Sequence, residues 1–106
     1  MPESEANING FLYQFKYFAT SGGFRFIERD KNLRTLAELG ILEPHAVKEI
    51  IMPLTHRNYV KGPEQDRDYP KHNVWVFQCN YEVVNLYIKL SDNFSKNLAI
   101  CISMHR

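Results

Sequence analysis

Only two cysteines occur in the 106 residues, Cys79 and Cys101, and both sit in apolar, strand-like runs. There is no Cys-x-x-Cys pair, and the four histidines are not spaced as metal ligands. A disulfide framework and a structural zinc site are therefore poor explanations of the fold, and two reduced core thiols are expected. No apolar run approaches the roughly 20 residues of a membrane helix. Met1-Pro2-Glu3-Ser4-Glu5 is acidic where a signal peptide is basic, so the expected location is the cytoplasm, with no membrane partner. No sign of charge dominates either: 13 Lys and Arg stand against 12 Asp and Glu, for a net +1. A chain that attracts nucleic acid by its overall field carries a large basic excess. Contact with RNA would have to come from a local cluster. The stretch up to Leu54 sums to −1 and the remainder to +2, which points to the second half.

Apolar residues make up 44% and aromatics 13%, enough for one core in a single domain spanning 1–106. Ile8, Phe11, Leu12, Phe15 and Phe18 recur at helical spacing, predicting a helix over 8–20 that Ser21-Gly22-Gly23 ends. Phe24 to Glu28 reads as a short strand. Asp30 reads as the N-cap of a helix over 31–40 carrying Leu33, Leu36 and Ala37, stopped by Gly40. Pro44 suits the first turn of a third helix, over 44–53, with Val47, Ile50, Ile51 and Leu54 inward. From Tyr59 the period changes to two. Gly62-Pro63 through Tyr69-Pro70 reads as a charged loop in which Asp66 and Asp68 flank Arg67 as solvated charges. Strands are expected over 74–80, 83–90 and 99–105, with Asp92-Asn93 and Lys96-Asn97 as turns. The expected class is α+β: two to three helices on one face of an antiparallel sheet. Trp75 and Phe77 read as core, and His45 and His56 receive no role.

Alternation then separates the last two strands into faces. Leu86, Ile88 and Leu90 share one face, and Tyr87 and Lys89 the other. Continuing that alternation, Ile100, Ile102 and Met104 should meet the helices, while Cys101, Ser103 and His105 face away. If the two strands pair, Tyr87, Lys89, Ser103 and His105 form one exposed patch. Such a set fits RNA cleavage by the neighbouring 2′-hydroxyl. A base takes the hydroxyl proton, a cation stabilises charge on the phosphate, and an acid protonates the leaving oxygen. Imidazole can serve as acid or base near neutrality. The chemistry requires neither metal nor cofactor. An outer sheet face is also polar merely because water covers it, so a solvated surface and a non-catalytic binding module are the competing readings. A small-molecule enzyme is a third, disfavoured because a flat sheet face offers no enclosed pocket.

Lys31-Asn32-Leu33, Thr35-Leu36-Ala37-Glu38-Leu39-Gly40-Ile41 and Asn58-Tyr59-Val60-Lys61-Gly62-Pro63 occur in order ahead of Val74-Trp75-Val76-Phe77, Leu86-Tyr87-Ile88-Lys89-Leu90 and Cys101-Ile102-Ser103-Met104-His105. From about Phe24 to the C-terminus this ordered set resembles the MqsR family of type II toxins. The resemblance implies a RelE-like (barstar-like) toxin fold, metal-independent cleavage of mRNA, and silencing by a cognate antitoxin protein. It implies catalytic roles for Lys61, Tyr87, Lys89 and His105. RNA contacts are expected from Lys61, Arg67, Lys89 and Ser103, and antitoxin contact from the Arg67 loop and an exposed strand edge. Val76 departs from a branch that carries glutamine nearby, and Met104 replaces a more usual phenylalanine. A degenerate toxin that binds an antitoxin or nucleic acid without cleaving is the alternative.

Overall fold

The computed structural model describes residues 3–106. Helix α1 runs Glu5–Phe18, and Ser4 caps it by accepting the Asn7 backbone N–H at 3.2 Å. A widened turn over Ala19–Gly23 leads into strand β1, Phe24–Phe26. Helix α2 spans Asp30–Leu39 and ends on Gly40 at φ 74°, the left-handed cap that glycine adopts at little cost. Its N-cap is Arg29, and Asp30 is the first helical residue, where a carboxylate suits the helix dipole. The third helix is shorter than its apolar spacing predicts: a single 3₁₀ turn over Pro44–Ala46 precedes α3, Val47–Ile51. Strands β2 (Tyr59–Gln65), β3 (Asn73–Tyr81), β4 (Val84–Ser91) and β5 (Ala99–His105) complete the chain. No helix among the described residues is long and apolar enough to cross a membrane.

The fold class is α+β, with the three helices packed on a five-stranded sheet of order β1-β5-β4-β3-β2. The sheet is mixed, not purely antiparallel, because β1 runs parallel to β5. That pairing is easy to miss in a sequence: three residues with no turn signal join a strand some 75 positions downstream. The expected loop from Gly62 also begins later than its composition predicts. Strand β2 runs through Gly62-Pro63 to Gln65 against β3, with register irregularities on either side of Lys61. Gly62 is required there. Its φ is 119°, and a Cβ would come within 2.5 Å of the Val74 carbonyl.

The core lies between α1 and the sheet. Phe11 stacks on Trp75 at 4.6 Å, and Phe77, Ile88, Leu86 and Leu90 are wholly buried beneath it. Each such side chain contributes on the order of 1.5–3 kcal/mol by leaving water. The Lys16 ammonium donates to the Leu54 carbonyl, and burial lowers its pKa from the ordinary lysine value.

Simple alternation fails at one place in β5. Tyr87 pairs with His105, Ile88 with Met104 and Lys89 with Ser103, but Leu90 then pairs with Cys101. Ile102 is the extra residue of a β-bulge, which reverses the faces on its N-terminal side. Cys101 and Ala99 are therefore in the core, and Ile100 takes the opposite parity, half-buried. This corrects the expected inward Ile100 and outward Cys101. Beyond the bulge, Met104 points inward and His105 outward, as the alternation predicts. Buried Asn32 of α2 fixes the irregularity. Its Nδ2 donates to the carbonyls of Ile27 at 2.7 Å and Ile102 at 3.0 Å, and its Oδ1 faces the Met104 N–H at 3.4 Å.

Candidate active site

The helix-free face of the sheet is divided. One part is roofed by residues 66–72, which cross the face as a strap. His72 Nδ1 and Ser91 Oγ of β4 are 2.6 Å apart, and Asp68 meets Arg29, beyond β1, at 3.0 Å. The Arg29 guanidinium also lies over the Tyr69 ring, 5.7 Å from its centre. Asp66 holds the strap's shape by accepting the backbone N–H groups of Asp68 and Tyr69 at 3.0 and 2.8 Å. It is 6% exposed, so it is a buried structural acceptor and not the solvated charge its loop setting implies. On this face Val74, Val76, Ser91 and Ser103 are buried.

Ser103 consequently leaves the set of RNA contacts predicted above. It is fully buried, and its hydroxyl has no partner among the described residues. Parity placed it on the correct face, but the strap and Arg29 occlude that part of the face. Arg29 Nε is likewise a buried side-chain atom with no partner among the described residues.

The remaining part is open. Tyr87 and His105, directly cross-strand, stack with ring centres 5.8 Å apart and planes 21° from parallel. Both are partly exposed. Lys89, two residues along β4 on the same face, is half-buried and in register with Val76 and Ser103. Lys61 extends the same row from β2. Two strand spacings separate the Lys61 and Lys89 backbones, about 10 Å, which two lysine side chains can span toward one phosphate. Lys61 makes an exposed ion pair with Glu64 at 3.2 Å. Such pairs are worth about 1 kcal/mol or less and yield readily to a stronger anion. Arg67 is exposed on the strap and makes no side-chain hydrogen bond or ion pair among the described residues.

Of the expected residues, Tyr87 and His105 stack on the open part, Lys89 is half-buried in the adjoining row between buried Val76 and Ser103, and Lys61 is exposed at the β2 end of that row. Arg67 lies on the strap, and Ser103 is closed off. Gln78 completes the row of Tyr87 and His105 and was not singled out in the sequence, although its position on β3 opposite Tyr87 follows from the β3–β4 hairpin register. No group of three or more His, Cys, Asp or Glu side chains converges among the described residues. An apolar hollow of about 410 Å³ is lined by Ile50, Pro53, Leu54 and Tyr81 and reaches Cys79 and Asn80 of β3.

The two thiols lie away from the open face. Burial pushes the Cys101 thiol up to about 12, partly offset by a contact with the Ser103 carbonyl, and raises half-buried Cys79 as well. Neither is suited to act as a nucleophile near neutral pH.

No family model matches the chain, and no curated protein matches it.

Proposed function

We propose that the chain is a metal-independent endoribonuclease toxin of the MqsR type, acting on mRNA in the cytoplasm and silenced by a cognate antitoxin. The observation that carries this reading is the stacked Tyr87–His105 pair on an open sheet face, with Lys89 in the adjoining row.

In the reaction the 2′-oxygen attacks the adjacent phosphorus, the bond to the 5′-oxygen breaks, and a 2′,3′-cyclic phosphate and a 5′-hydroxyl result. His105 supplies proton transfer, since imidazole can both accept and donate near neutrality. Lys89 and Lys61 stabilise charge accumulating on the non-bridging oxygens. Tyr87 holds the imidazole by stacking and offers its hydroxyl to the ribose. The shallow face suits single-stranded RNA, whose splayed backbone can lie on a sheet. Arg67, at the margin, adds a phosphate contact or meets the antitoxin. Strand β2 is a sheet edge on which an antitoxin strand could pair.

The test is single-turnover cleavage of a labelled RNA in the presence of chelator, across pH 5–9, for the wild type and His105→Ala. Removing the proton-transfer group should cost about 100- to 10,000-fold in rate. Full activity in the variant, or strict dependence on a divalent ion, overturns the mechanism. An inert wild type that still binds RNA or antitoxin identifies a non-catalytic module.

A further inference from the structure

Beside the Tyr87–His105 row, the open face continues into a polar groove of about 420 Å³. It is lined by Gln78, in register with Tyr87, by Asn80 and Asn85, a cross-strand pair one row further on, and by Arg57, Tyr59 and Cys79. Asn58 also lines the groove, but its amide is committed, donating to the Gln78 carbonyl and accepting from the Thr55 N–H, each at 2.9 Å. The side-chain amides of Gln78, Asn80 and Asn85 and the guanidinium of Arg57 make no hydrogen bond among the described residues, and Asn80, Asn85 and Arg57 are exposed. Three residues with uncommitted amides and one with an uncommitted guanidinium therefore line a single depression one row from the stacked rings.

From these positions we infer that the groove is a base-reading subsite that takes the edge of a purine adjacent to the phosphate held at Tyr87 and His105. An amide presents a donor and an acceptor side by side, matching N6 and N7 of adenine, and a guanidinium matches O6 and N7 of guanine. Adenine can engage two amides at once, through N6–H with N7 and N6–H with N1, whereas uracil, with its single N3–H, completes only one such pair. Adjacent rows on one strand face are about 6.6 Å apart, a step comparable to one nucleotide of an extended strand. The volume lies within the range of small-ligand sites and exceeds what a single base requires. The inference deepens the ribonuclease reading in its placement beside the cleaved phosphate, but purine recognition stands on the groove alone.

Binding of fluorescent 2′-O-methyl oligoadenylate and oligouridylate, which lack the attacking hydroxyl, separates the two claims. The wild type should prefer oligoadenylate by about 5- to 100-fold, the discrimination one or two bidentate pairs supply. Asn80→Ala/Asn85→Ala, which removes two of the three amides, should diminish the preference at least severalfold without lowering the unfolding midpoint, since both side chains are exposed. Asn73→Ala, an exposed asparagine of β3 outside the groove, should retain it. Equal affinity of the wild type for the two oligomers, or an undiminished preference in the double variant, overturns the subsite. A purine preference diminished in the double variant, in a protein that cleaves no RNA, leaves the subsite standing and rejects only the ribonuclease reading.

Discussion

The side-chain amide of Asn32 donates to the Ile102 carbonyl at 3.0 Å, joining positions 70 residues apart. That bond holds the extra residue of the β5 bulge, and the bulge decides which side chains of β5 reach the open face. Asn32→Ala removes the partner of the part-buried Ile27 carbonyl and of the buried Ile102 carbonyl and Met104 N–H. The expected cost is about 2–4 kcal/mol, at 1–3 for each buried group left unpaired with partial relaxation. Asn32→Asp should cost more, because the donors are lost and a carboxylate is buried facing two carbonyls. Urea unfolding measures both. In the alanine variant the upfield shift that the Tyr87 ring confers on the His105 ring protons should also diminish, and an unchanged shift would remove Asn32 from the placement of His105.

Asp66 and Asp68 are two residues apart, but their surroundings assign them different weights. Asp68 is 59% exposed at its side chain in the pair with Arg29, and exposed pairs contribute about 1 kcal/mol or less. Asp66 is buried and accepts two backbone N–H groups, bonds to an ionised acceptor worth about 1.5–3 kcal/mol each. Asp66→Ala should therefore lower stability by about 3 kcal/mol or more, for the two bonds lost, while Asp68→Ala stays within about 1. Equal losses in chemical denaturation would contradict this division of the strap.

Lys89→Ala should weaken binding of a non-cleavable RNA and flatten its salt dependence by about 0.7 in the slope of log K against log salt, the value for one phosphate contact on a single strand. Lys61→Ala should do the same. Ser103→Ala should leave the affinity itself unchanged, because Ser103 is closed to solvent. A loss of RNA affinity in Ser103→Ala would mean the strap opens when RNA binds.

The Cys101 thiol, pushed up to about 12, is neutral in the folded chain well above the pH at which an unfolded thiol ionises, near 9. Between those values the unfolded state holds fewer protons, so stability falls as pH rises, by up to about 1.4 kcal/mol per pH unit. Cys101→Ala should flatten the alkaline limb of the stability profile while lowering stability at neutral pH through the cavity it leaves. With iodoacetamide under native conditions, half-buried Cys79 should react first and Cys101 only on unfolding. Comparable rates for the two thiols would show that β5 opens independently.

The α1 stripe, the Gly40 stop and the alternation of β4 were legible in the sequence, because each depends on residues within a few positions of one another. They sufficed to place Tyr87, Lys89 and His105 on one face. The α2 stripe was not, since Leu33 and Ala37 are exposed and Asn32, Thr35 and Leu36 form its buried side. The bulge was not legible, since it depends on Asn32 reaching β5 from a helix distant in sequence. Alternation nevertheless placed His105 correctly, because that residue lies beyond the bulge on the side paired in regular register with β4. The strap also left a signal that was not used. Val74-Trp75-Val76-Phe77 is an unbroken apolar run, which in a strand marks burial on both faces. The buried Ser103 follows from the same roof. The groove beside Gln78 left no local trace, as its asparagines lie on two strands and acquire meaning only in register.

Strand β5, which carries His105, lies inside the sheet between a neighbour about 15 residues upstream and one about 75 residues upstream. The β1–β5 pairing closes a loop of about 75 residues, at a larger entropy cost than the nearby β4–β5 pairing that sets His105 against Tyr87. The stacked pair can therefore form before β1 joins the sheet, and the ring-current shift at His105 should appear during refolding no later than protection of the β1 amides.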